Sequence, residues 1–124
     1  MQTKEIQPKE WRKFFDDFSR KHQGTRVGVE ILGLEIGAQT EDEGLALEGI
    51  TVEGDEVSGN TLIIMVGASA DDHITHSIKR PIQVSLGTDK GADFALAIKG
   101  MDGSTALLRF QSTNLPEVAD AISP

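Results

Sequence analysis

The sequence predicts a mainly β fold of the α+β kind. A curled antiparallel sheet or small barrel of six or seven short strands follows an N-terminal amphipathic helix, and a short C-terminal helix adds a second cover. Three observations predict it. Apolar residues alternate with a period of two through most of the chain from Arg26 to Phe110. Thirteen glycines are spread along the sequence and cut those runs into short segments. Ahead of them, four of the chain's six aromatic residues form one stripe at helical spacing.

That stripe is Trp11, Phe14, Phe15 and Phe18, which fall at i, i+3, i+4 and i+7, so the expected helix runs from Pro8 to Gln23. Arg12, Lys13, Asp16, Asp17 and Arg20 form its other face. Pro8 suits a first helical turn, where a missing N–H costs nothing. Arg20, Lys21 and His22 place positive charge at the dipole's negative end, and Gly24 is a left-handed stop. Large aromatics on one face read as core packing, a helix anchored onto the sheet.

The strands follow in order. Val27, Val29 and Ile31 alternate with polar or small neighbours, and Leu34, Ile36 and Ala38 continue in a shifted phase after Gly33. Residues 39–44 form an acidic turn. Leu45 and Leu47 alternate, and Ile50 and Val52 do so in the opposite phase, which is what a bulge at Gly49 produces. A second acidic loop, residues 53–60, precedes the densest apolar run, Thr61 to Val66. Short, β-branched and bounded by glycines, that run reads as a strand buried on both faces at the centre of the sheet. From His73 to Ile78 the isoleucines and His76 share one face while His73, Thr75 and Ser77 take the other, and Arg80-Pro81 breaks the strand. Ile82, Val84 and Leu86, then Phe94, Leu96 and Ile98, then Ala106, Leu108 and Phe110 complete the set, with an Asp102-Gly103 hairpin before the last. Leu115, Val118, Ala119 and Ile122 recur at helical spacing, and Pro116 suits a first turn, which predicts a helix over 116–122.

At 124 residues the chain reads as one domain, 1–124, large enough for a core of its own. It contains no cysteine, which excludes disulfides, thiolate metal sites and cysteine nucleophiles and fits a reducing compartment. No apolar leader opens it and no apolar run reaches the roughly 20 residues of a membrane helix. The expectation is a soluble cytoplasmic protein without membrane association. A net charge of −8 repels phosphate backbones, and the few aromatics leave little for base stacking, so nucleic-acid binding is disfavoured.

Two stretches carry a resemblance. One is Lys4-Glu5-Ile6 with Glu10-Trp11, Phe14-Phe15-Asp16 and Phe18-Ser19. The other is Asp71-Asp72-His73-Ile74-Thr75-His76-Ser77-Ile78, with Gly91-Ala92-Asp93 and Leu107-Leu108-Arg109-Phe110 downstream. In their order and spacing the chain resembles, over nearly its full length, a family of small bacterial proteins known only as a domain of unknown function. The resemblance implies a self-contained bacterial domain. It brings no activity, cofactor or catalytic residue.

The sharpest chemical feature is Asp71-Asp72-His73 with His76, and Arg80 closing the strand is counted with them as ligand-binding candidates. Carboxylates and imidazoles suit a divalent transition metal. On a strand His73 and His76 point to opposite faces, so the candidate metal pair is Asp72 with His76, completed from elsewhere. The bland reading is a turn at Asp71-Asp72 and a half-buried, hydrogen-bonded His76. Nucleophile-elbow, P-loop and zinc-protease motifs are missing, and no cofactor is implied. The sequence therefore points first to a non-catalytic binding or protein-interaction module that self-associates through an exposed strand edge, beside Arg80-Pro81 or at Thr105–Phe110. The alternative is a small-ligand or divalent-metal-dependent activity centred on Asp71-Asp72-His73 and His76. In outline, a helix before a curled sheet is shared with Sm-like barrels, a fold-level analogy without functional weight.

Overall fold

The computed structural model describes residues 2–33, 37–55, 59–69 and 72–111 (the backbone alone for 37–43, 55, 68, 69 and 72), and among these described residues there are one α-helix and eight strands. Strand β1 is Gln2–Ile6, and a 3-10 turn at Pro8–Glu10 leads into helix α1, Trp11–His22. Strands β2 to β8 follow as Arg26–Gly33, Gly37–Asp55, Gly59–Ser69, Asp72–Lys79, Pro81–Asp89, Ala92–Gly100 and Thr105–Phe110. They make one antiparallel sheet in the order β1-β6-β7-β8-β2-β3-β4-β5.

The sheet is curled but unclosed, with β1 and β5 as its two ends, so the small barrel is not formed. The strand count is eight rather than six or seven because Gln2–Ile6 pairs with β6, from Gln2 opposite Thr88 to Ile6 opposite Val84. Only Ile6 of β1 is buried, so this strand has no apolar alternation of its own; its partner imposes the extended form. The helix expected over 116–122 and the continuation at Leu34 and Ile36 lie outside the described residues.

Strand β3 supplies much of the curl. Its first half pairs with β2 and its second half with β4, and the register shifts between Leu47 and Gly49, leaving Glu48 as the extra residue of a bulge. Beyond Leu47, β2 has ended and β3 would have an open edge. Helix α1 covers it. The Gly24 amide donates to the Leu47 carbonyl at 2.8 Å. Ser19 bonds the amide and the carbonyl of Ile50, and Arg12 forks onto the carbonyls of Val52 and Gly54.

The aromatic stripe faces inward as its spacing requires. Trp11, Phe15 and Phe18 are buried and Phe14 half-buried, and Trp11 Nε1 donates to the Ile6 carbonyl at 2.9 Å. Gly24 ends the helix with a φ of 87°, which its missing Cβ permits. The stripe packs with the inner face of the sheet, including Val27, Val29, Leu47, Ile50, Leu62, Ile64, Val66, Leu96, Ile98 and Leu108, in one core.

Two expectations are corrected. The run Thr61–Val66 is not central: β4 lies second from the β5 edge, and although Leu62, Ile64 and Val66 are fully buried, Thr61, Ile63 and Met65 are only half-buried. Apolar residues on both faces make the run look central, but the curl gives only one face a core. Strand β8 is not an edge, because β2 and β7 flank it. Of the strands beside Arg80-Pro81, β6 is not an edge either, because β1 and β7 flank it; β5 is one among the described residues. Among the described residues no helix is long and apolar enough to cross a membrane.

Candidate ligand-binding site

Strands β5 and β6 are consecutive in sequence yet lie toward opposite ends of the sheet. The chain crosses from one to the other at Arg80. Pro81 after it forbids a continued ladder, and Arg80 takes a left-handed backbone with a φ of 50°. Its amide donates to the Asn60 carbonyl at 2.9 Å, and its carbonyl accepts from the Met101 amide at 3.0 Å. This one residue therefore ties the start of β4 to the turn after β7, where the two wings of the sheet approach without pairing.

Beside this corner lies a cleft of about 720 Å³. That is within the size range of small-molecule sites, about 300–1,000 Å³. Ile31, Ile78, Met101 and Ala106 give it an apolar wall, and His76, Lys79 and Arg80 give it basic groups. Among the described residues that line it is the carboxylate of Asp102, which accepts the Ser104 amide at 2.9 Å and the Ser104 hydroxyl at 2.7 Å. The hydroxyl first, and then the amide, hold the Asp102 carboxyl below its ordinary range. A second groove, of about 440 Å³, runs between α1 and β3, but its Arg12 is already committed to two backbone carbonyls.

The structure separates the predicted site residues. His76 and Arg80 line the cleft. His73 is exposed on the other face of β5, where Nδ1 meets Glu48 Oε2 at 2.5 Å. The bulge that makes Glu48 the extra residue of β3 was readable in the phase change at Gly49, but its partner was not. Asp72 pairs by its backbone with Ser69, and its side chain, like all of Asp71, lies outside the described residues. Among the described residues no three His, Asp or Glu side chains converge as a metal set would.

Sequence reasoning missed Ile31, Met101, Asp102 and Ser104 as neighbours of His76. The Asp-Gly-Ser signal marked a turn, and aspartate in such turns bonds the backbone two residues on, so that contact was readable. Its position across the gap from β5 was not. A second polar pair was missed as well. His22 Nε2 and Asp93 Oδ2 meet at 2.8 Å, with the imidazole between Phe18 and Phe110 at centroid distances of 4.7 and 4.5 Å.

Comparison with known proteins gives a consistent result. Residues 2–118 match the model of a family of unknown function, DUF5335. An uncharacterized protein of Aquifex aeolicus (strain VF5) is 26% identical over 118 residues, covering 94% of this chain and 100% of that protein. No solved structure matches.

Proposed function

Since the chain belongs to the DUF5335 family, which carries no assigned activity, we propose on geometry that it is a non-catalytic binding module whose ligand seat is the cleft beside Arg80. One observation carries this reading: where the wings of the sheet meet unpaired, they leave a concave space of ligand size with an apolar wall and a few polar groups. Enzymatic chemistry has less support. His73 and His76, the groups best suited to acid–base or metal chemistry, lie on opposite faces of β5. A fragment screen on ¹⁵N-labelled protein tests the seat. Amide shifts concentrated at Ile31, 76–80 and 101–106 support it, and shifts concentrated elsewhere contradict it. Calorimetric titration with zinc, nickel and manganese tests the remaining metal pairing of Asp72 with His76, and no heat at micromolar protein ends that alternative.

A second reading is self-association through β5. Among the described residues that strand ends the sheet, and a strand at a sheet's end is the place where a second copy can add by backbone pairing. Light scattering from micromolar to millimolar concentration tests it, and a clean monomer throughout rejects it.

A further inference from the structure

The composition of the cleft goes further and, resting on the cleft being the seat, gives the class of ligand. We infer that it binds an organic anion, a carboxylate or phosphate head on an apolar body. The chain as a whole holds twenty acidic and twelve basic residues. Among the described residues the cleft departs from that balance: Lys79 and Arg80 line it beside the carboxylate of Asp102, whose charge already takes two hydrogen bonds from Ser104.

Arg80 is a cation carried on a fixed backbone. Its backbone is pinned on both sides, by Asn60 and Met101. Its stem lies over Gly59, where an added Cβ would come within 3.6 Å of Cγ and 3.9 Å of Nε. Among the described residues its guanidinium makes no ion pair. A guanidinium suits the two oxygens of a carboxylate, edge to edge, or the oxygens of a phosphate. The rest of the lining argues for the body. Ile31, Ile78 and Ala106 offer apolar surface that an inorganic ion would leave unused, and Met101, 64% exposed, is an adaptable thioether at the rim.

Three probes with one body separate the terms: octanoate, octyl phosphate and octanol, each titrated by NMR into the full chain. Octanoate or octyl phosphate should shift the cleft amides, with octanol at least about tenfold weaker, the scale of one charge-assisted contact. Whichever of the two anions binds more tightly identifies the head. Arg80→Gln should weaken the anions about tenfold and leave octanol and the melting temperature unchanged. Lys79→Gln is the second variant should the first fail to fold. If octanol binds as tightly as the anions, or neither variant weakens them, the anion class is overturned while the seat stands. If the shifts fall away from the cleft, the seat itself is wrong. If none of the three binds at millimolar concentration, the inference fails.

Discussion

The hydroxyl of Ser19 accepts the Ile50 amide proton at 2.8 Å and donates back to the Ile50 carbonyl at 3.1 Å. One helix side chain thus takes the place of a neighbouring strand at the point where β3 outruns β2. Ser19→Ala leaves both groups without that partner in a half-buried position, and the expected loss is about 1–3 kcal/mol in urea unfolding. Hydrogen exchange at the Ile50 amide should quicken with it. An unchanged exchange rate would mean that the helix does not protect this edge.

The aromatic stripe should divide by burial. Phe15 is 1% exposed and Phe14 is half-buried, although both lie on the predicted face. Phe15→Ala should cost about 3–5 kcal/mol, as for other buried phenylalanines, and Phe14→Ala about 1–2 kcal/mol. Equal losses in chemical denaturation would contradict the packing.

The helix was legible from its period of 3.6 and its left-handed glycine, to within one residue at its end; at its start Pro8 opens the 3-10 turn Pro8–Glu10, and the α-helix begins at Trp11. Seven strands were legible from alternation, but not all of their ends: residues 39–44, read as an acidic turn, lie inside β3, where they pair with β2. Strand β1 was not, since Gln2-Thr3-Lys4-Glu5 carries no apolar residue and is extended only because β6 pairs with it. The wrong placement of β4 has a similar cause: local hydrophobicity shows that a strand is apolar, not where it sits in the sheet. At the site, the chain break at Arg80-Pro81 and the opposed faces of His73 and His76 could be read locally. The approach of Met101 and Asp102 to that break depends on the curl of the whole sheet.

Asp93 and His22 are seventy-one residues apart in sequence and bond at 2.8 Å, with side chains only 10% and 14% exposed. Lys21 reaches the same carboxylate at 3.5 Å but is 64% exposed. Asp93→Ala should therefore destabilise by about 2 kcal/mol, whereas Lys21→Ala should cost less than about 1 kcal/mol. Thermal unfolding of the two variants checks the order, and a larger loss at Lys21 would reverse the assignment.

The Met101–Ser104 turn should respond to acid. Ser104 lowers the Asp102 carboxyl below its ordinary value of 3.8, so the ionised form is favoured in the folded chain. The turn's contribution is complete above 3.8 and is lost as pH falls through the lower folded value. Ser104→Ala should move the Asp102 titration midpoint upward, followed by its carboxyl carbon shift in NMR. A midpoint that stays in place would show that Ser104 is not the cause.

The two wings of the sheet approach at Arg80, which bonds Asn60 at the start of β4 and Met101 after β7, and the cleft lies beside it. Amide hydrogen exchange on dilute, ligand-free protein tests this arrangement most directly. An open β5 edge predicts that every second amide along His73–Lys79 exchanges fast, while the Arg80 and Met101 amides, which bond Asn60 and Arg80, are protected. Uniform protection along β5, or fast exchange at Arg80 and Met101, would contradict it.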